Sequence, residues 1–251
     1  MINIVIPMAG LGSRFANAGY QHPKPLIPVH GVPMIKLVVE SLRTRLPHRF
    51  IFICQRAHIE TYQLADKLAQ WAPSSILVQL DGVTEGAACT VLTAESYIDN
   101  DSPLMIANSD QYIDASIDDY LHEIDRKDWD GLIMTMRASD PKWSFVGLNQ
   151  KNEVTRVVEK EVISNEATVG IYNFRHGNDF VRAAKTMIAK NQRVNNEFYV
   201  APVYNTLIDE GAQIGIWNIG AEAAGMYGLG TPADLDLFLS LPVSQRAVEG
   251  V

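Results

Sequence analysis

The chain has 251 residues, 47% hydrophobic and 20% charged, which excludes a disordered or fibrous protein and suits one sizeable core. Its 21 basic residues against 29 acidic ones give a net charge of −8, which excludes a broad basic face for nucleic acid. The two cysteines, Cys54 and Cys89, lack metal or redox spacing and no apolar run reaches membrane length, so a cytoplasmic protein with buried thiols and no membrane partner is expected.

Taken in chain order, Ile2 to Ile6 is a nearly unbroken apolar run that meets glycine-rich sequence at once, as a strand buried on both faces does. Pro33 stands at the first position of a predicted helix carrying Met34, Leu37, Val38 and Leu42 at helical spacing. Phe50 to Cys54 predicts a second strand, Ile59 to Trp71 a helix, Ile76 to Leu80 a third strand. Ala87 to Tyr97 then predicts a helix and Leu104 to Ala107 a fourth strand. Strands alternating with helices at this spacing argue a parallel sheet covered on both faces. From about residue 130 the pattern changes. Leu132 to Ala138, Phe145 to Leu148, Val154 to Glu159 and Val169 to Phe174 predict short strands added antiparallel to the sheet. Helices over 179–190 and 199–210, a last strand over 213–218 and a last helix over 233–239 complete the chain. One domain is expected over residues 1–241, with halves 1–130 and 131–241 and a loose tail over 242–251.

The first strand runs into Met8-Ala9-Gly10-Leu11-Gly12-Ser13-Arg14. Glycines at this place let the backbone approach a phosphate closely. The dinucleotide fingerprint would need a third glycine where Phe15 stands, and an acidic residue after the second strand, which ends Cys54-Gln55-Arg56. No Gly-Lys-Ser/Thr follows either, so the loop is not a P-loop. Instead Arg14 is followed ten residues later by Lys24, held between Pro23 and Pro25. Backbone amides with two placed cations suit a triphosphate; the bland alternative is a glycine turn with two solvated cations. Asp110, just beyond the fourth strand, points toward the crevice at the carboxyl ends of the strands, where a lone carboxylate suits a magnesium ion on phosphate oxygens. Turn or cap chemistry is the alternative there.

Gly10-x-Gly12-x-Arg14 followed by Pro23-Lys24-Pro25 resembles the signature of the nucleotidyltransferases that activate sugar phosphates with a nucleoside triphosphate, and the resemblance extends to about residue 240. It implies an α/β fold, a Rossmann-like three-layer sandwich with a mixed, mostly parallel central sheet. It implies Arg14 and Lys24 as catalytic residues, and Met8, Ala9, Gly10, Leu11, Gly12, Gln79, Gly86 and Ala87 against the nucleotide. Asp110 would hold Mg2+ as cofactor, and Gly147, Glu159, Lys160 and Thr168 would line the acceptor, with Glu159 taking a hydroxyl and Lys160 the phosphate. Residues 1–130 are then the nucleotide-binding half and 131–241 the acceptor-binding half. The implied partners are a nucleoside triphosphate and a phosphorylated small molecule, with a homo-oligomer left open. Compact relatives serve surface-polysaccharide (capsule) pathways, and some transfer cytidylyl groups, which favours CTP slightly. Family members commonly carry a second metal ligand where this chain has Gly228; Asp234 or Glu222 could substitute, with Thr231 and Pro232 expected to cap and open the helix of Asp234. Asn195, Asn196 and Glu197 read first as helix caps and second as acceptor contacts. A glycosyltransferase consuming a nucleotide sugar, or a nucleotide-binding regulator without turnover, are the alternatives.

Overall fold

In the computed structural model, which describes residues 1–251, the first strand, β1 (Ile2–Pro7), separates two apolar layers. Ile2, Ile4 and Ile6 face one layer and Val5 the other, by simple alternation along a strand. Asn3, the one polar residue of the run, is buried but satisfied: its Oδ1 accepts from Arg49 Nη2 at 2.8 Å. Next come α1 (Ser13–Asn17), a single 3₁₀ turn at Lys24–Leu26, and a small hairpin of β2 (Pro28–Val29) and β3 (Val32–Pro33). There follow α2 (Met34–Ser41), β4 (His48–Gln55), α3 (Arg56–Tyr62), α4 (Leu64–Trp71), β5 (Ile76–Leu80), α5 (Ala87–Leu92), α6 (Glu95–Ile98) and β6 (Leu104–Ala107). Pro33 precedes α2 as its cap residue rather than opening it. The pattern over 59–71 predicts one helix, yet the chain breaks at Gln63, which takes φ 51° between α3 and α4.

The second half adds β7 (Gln111–Ile113), α7 (Ile117–Arg126), β8 (Gly131–Arg137), β9 (Ser144–Leu148), β10 (Val154–Glu159), β11 (Glu166–Phe174) and α8 (Gly177–Ala189). It ends with α9 (Val203–Asp209), β12 (Ile214–Glu222), β13 (Gly225–Gly228), α10 (Pro232–Ser240) and α11 (Pro242–Val248). One 11-stranded sheet runs β5-β4-β1-β6-β11-β8-β12-β13-β7, with β9 and β10 attached beside β11. β5, β4, β1 and β6 are mutually parallel, and β11 enters antiparallel to both β6 and β8. The fold is therefore a Rossmann-like α/β sandwich with a mixed sheet. β13 extends past the strand expected to be last, and Thr231 caps α10 by accepting from the Asp234 backbone N–H at 3.1 Å. The carboxyl ends of β1 and β6 bring the Met8–Ser13 loop and Asp110 to the same edge of the sheet.

The tail is not loose. α11 buries Val243 and Ala247 in a third apolar cluster with Phe15, Tyr227 and Phe238, and Ser244 Oγ lies 2.8 Å from His30 Nε2. Pro242 opens this helix, where its missing N–H costs nothing. Ending the chain after Leu241 should lower the free energy of unfolding by about 2–4 kcal/mol, the loss of one buried valine and its neighbours. Urea denaturation of the two forms checks this; equal midpoints would mean the tail contributes nothing.

Candidate active site

Between β1 and α1 the backbone N–H groups of Ala9, Gly10, Leu11 and Gly12 have no acceptor within the protein, whereas the Met8 N–H is spent on Ile53 O at 2.9 Å. A row of free amides at the end of a parallel strand is an anion cradle. Arg14 lies exposed on the first turn of α1 and forms no ion pair. Lys24 is not a solvated cation. Its Nζ lies 2.8 Å from Asp110 Oδ2, across 86 residues of sequence, and both side chains are about three-quarters buried, at 24% and 25% exposure. Gly230 makes room for this pair: a Cβ there would stand 2.8 Å from Asp110 Oδ2.

Two adjoining cavities open from this edge. The larger, about 410 Å³, is walled by Ala9 to Ser13 on one side and by Val83, Thr84, Gly86, Ala87 and Thr90 on the other, with Glu197 at its border. Leu11 and Val83 are exposed at 70% and 60%, apolar surface without a protein partner. The smaller, about 150 Å³, is lined chiefly by Asn108, Lys142, Ser144, Glu159, Thr168 and Tyr199, and shares the Ala87 wall. Gly86 shapes that wall. It takes φ 122°, and a Cβ there would meet Phe198 N and O at 2.5 Å, because Phe198 is hydrogen-bonded to Glu85 O and Ala88 N. A shallower hollow of about 690 Å³ beside α7 has its charges already paired, Arg43 with Glu40 and Arg45 with Asp118.

The smaller cavity is lined by hydroxyl groups around a buried carboxylate. Glu159 is buried, accepts from Ser144 Oγ, and is pushed above the ordinary carboxylate range chiefly by its burial. Thr168 Oγ1 and Tyr172 Oη are bonded at 2.9 Å. Lys160 donates from Nζ to Tyr199 Oη at 2.6 Å, a bond that raises its affinity for its proton. Lys142, on the opposite wall, is held by Glu222 at 2.7 Å and more loosely by Asp234 at 3.9 Å. The two carboxylates offered by the sequence as second metal ligands are thus engaged with an ammonium, and Asp234 also with Thr231 Oγ1. Asp110 keeps one carboxylate oxygen free of protein partners, and no cluster of acidic or imidazole ligands forms an all-protein cation site. One free carboxylate oxygen beside an amide cradle fits magnesium, which favours one or two carboxylates with phosphates and waters.

The structure brings together Ala9, Gly10, Leu11, Gly12, Gly86 and Ala87 at the larger cavity, and Glu159 and Thr168 at the smaller. Lys160 reaches the smaller one through Tyr199. Arg14, Lys24 and Asp110 line neither cavity, and three further candidates stand apart. The Met8 side chain is packed in the core, Gln79 accepts from Arg56 Nη1 at 2.9 Å on the far side of β5, and Gly147 faces Arg156 across the β9–β10 pair. Asn195 and Asn196 are not caps: with φ 48° and 64° they form the turn of a Val194–Glu197 bridge, and α9 starts only at Val203. Sequence reasoning missed Asn108, Lys142, Ser144 and Tyr199; the adjacent Lys142-Trp143 pair was the one available signal, a cation 4.7 Å over an aromatic ring.

A free amide loop and a lysine–carboxylate pair, beside two adjoining cavities at the carboxyl edge of a mixed sheet, form a site of the kind that holds phosphate anions. The chain belongs to the nucleotidyl transferase family, whose model matches residues 4–206. The bifunctional protein GlmU of Methanococcus maripaludis is 23% identical over 180 residues; the match takes in 70% of this chain and 40% of that protein, so the chain spans less than half the length of these curated relatives. A nucleoside-diphosphate-sugar pyrophosphorylase from Vibrio cholerae RC9 superposes with a TM-score of 0.80 at 25% identity, over 95% of this chain and all of that one. The inositol-1-phosphate CTP transferase from T. maritima gives 0.74 at 17% identity over 99% and 97%, a likeness of fold alone. No helix is long and apolar enough to cross a membrane.

Gly86→Ala should destabilise the protein by at least about 2 kcal/mol, since neither its φ nor the Phe198 backbone can yield cheaply; denaturant titration checks it. Glu159→Gln has a pH signature. A carboxyl whose affinity for protons is higher folded than unfolded favours the fold below its unfolded value of 4.5, and that contribution is lost as pH rises. The glutamine variant should therefore be at least as stable as wild type at pH 7, with the difference closing toward pH 4.5; melting curves across that range check it.

Proposed function

We propose that this protein is a nucleotidyltransferase that joins a nucleoside triphosphate to a sugar phosphate or similar phosphorylated small molecule and releases pyrophosphate. The observation that carries the reading is the Lys24–Asp110 pair at 2.8 Å, packed against Gly12 of the loop whose amides from Ala9 to Gly12 are unpaired. An oxygen of the acceptor phosphate attacks the α-phosphorus, a P–O bond forms on that side, and the bond to the pyrophosphate breaks in line. The nucleophile is already an anion, so no base is needed, and catalysis consists of positioning and charge neutralisation.

Each residue then has one task. The loop amides and Arg14 take the β- and γ-phosphates. Lys24 neutralises charge at the α-phosphate. Glu159 accepts acceptor hydroxyls, and Lys160 with Tyr199 anchors the acceptor phosphate. Asp110 would hold Mg2+ by its free oxygen; the ion would supply charge neutralisation at the phosphates. Glu222 and Asp234, tied to Lys142, leave Asp110 as the protein carboxylate for that ion. A cytidine donor remains a preference from resemblance, and the substrate panel decides it. A glycosyltransferase would leave the amide row and Arg14 without a terminal phosphate to hold.

The test is pyrophosphate release from each of ATP, CTP, GTP and UTP with a panel of sugar 1-phosphates and polyol phosphates; no release with any pair would overturn the reading. Lys24→Ala should lower kcat/KM by about two orders of magnitude, with stability changed by about 1 kcal/mol or less, because the pair lost is partly exposed. Near wild-type release by this variant would remove Lys24 from the machinery.

A further inference from the structure

Glu197 has no assigned task in the reading above, yet it stands at the border of the larger cavity. Its backbone is fixed on both sides. The Glu197 N–H and C=O close a two-way bridge with Val194, at 2.9 and 3.0 Å, and the next residue, Phe198, is fully buried and hydrogen-bonded to Glu85 and Ala88. The side chain is nevertheless exposed and forms no ion pair. Its neighbours toward the smaller cavity are Tyr199, Lys160 and Glu159, each of which it makes harder to deprotonate. This carboxylate, on a rigid stem beside the Tyr199 hydroxyl, is the one charged side chain lining the larger cavity, and it cannot serve a phosphate. It can only accept hydrogen bonds.

The rest of that cavity divides the donor among its parts. The amides of Ala9 to Gly12 mark the phosphate end. Leu11 and Val83 offer the exposed apolar surface on which a flat base can lie. Between these two ends comes the pentose. The hydroxyls of Thr84 and Thr90 bond each other at 2.6 Å and Gly86 O, which leaves them only as neutral acceptors for it. Glu197 is the one anionic acceptor in the lining, and a charged acceptor makes the stronger hydrogen bond. Its two oxygens can take two vicinal hydroxyls, as a ribose presents and a 2′-deoxyribose does not.

We propose, resting on the transferase reading, that Glu197 binds the ribose hydroxyls of the donor and makes the enzyme select ribonucleoside over 2′-deoxyribonucleoside triphosphates. The experiment compares pyrophosphate release from each ribonucleoside triphosphate and its 2′-deoxy analogue, with the best acceptor, in wild type, Glu197→Gln and Glu197→Ala. Wild type should show a KM for the deoxy donor about tenfold higher, the loss of one hydrogen bond to a charged group. Glu197→Ala should bring the ribose KM up to near the deoxy value, collapsing the ratio toward one, while the acceptor KM stays near wild type. Glu197→Gln, which keeps one acceptor oxygen, should fall between. Equal KM values for both donors in wild type, or an undiminished ratio in a folded Glu197→Ala, would overturn the proposal while leaving the transferase reading intact. A rise in acceptor KM instead of donor KM would also overturn it, by moving Glu197 to the other substrate. Absence of release by wild type with every donor falls on the transferase reading and takes this one with it.

Discussion

The site hangs on one ion pair between segments that the chain meets 86 residues apart, Lys24 and Asp110. As a stabilising contact it is modest, since both side chains keep about a quarter of their surface in water. Its weight lies in geometry. Lys24 is presented by a single 3₁₀ turn whose backbone is restrained by Pro23 and Pro25, and Asp110 leaves β6 only three residues after Ala107. The Asp110 carbonyl accepts from Leu229 N–H at 2.8 Å, which brings the 228–231 turn against the pair and explains why residue 230 carries no side chain. Three distant stretches thereby share one corner.

Charge is distributed against the overall sign of the protein. A chain of net charge −8 repels a polyphosphate at a distance, so attraction must be local. For the donor proposed above it would be supplied by backbone dipoles, which carry no net charge, and by a few placed cations. Lys142 is neutralised by Glu222 and Asp234, whereas Arg14 is free and Lys24 faces a single carboxylate. Burial works in the other direction at Glu159, where loss of water, more than any neighbour, raises its affinity for a proton.

Legibility in the sequence followed locality. The strand at 104–107 coincides with β6, because a parallel strand buried on both faces writes itself as an unbroken apolar run, and the strand at 76–80 coincides with β5, an edge strand whose apolar run is interrupted only by the exposed Gln79. The glycine loop and the Pro-Lys-Pro turn were legible for the same reason: their conformations are set by residues within the segment. β7 has three residues and β13 four, too short for any period to register, and α7 hides its apolar stripe of Ile117, Tyr120, Leu121 and Ile124 among five acidic or basic residues. The smaller cavity was least legible. Asn108, Lys142, Glu159 and Tyr199 come from four separate stretches, and only the antiparallel insertion of β11 between β6 and β8 makes them neighbours.

That insertion also accounts for where the two cavities meet. β11 pairs with β6 through Ile171 to Phe174, and its irregular step between Thr168 and Tyr172 turns Thr168 toward the smaller cavity beside Asn108. The wall shared with the larger cavity is Ala87, the first residue of α5, whose preceding Gly86 packs directly on the Phe198 backbone. A residue with a longer side chain at 87 would stand between the two spaces. With alanine there, the two cavities adjoin, and under the transfer proposed above each phosphate would be neutralised from its own half of the molecule. Under the transfer proposed above, the first half brings the electrophile, the second brings the nucleophile, and the sheet that both halves share keeps the two cations at a fixed separation.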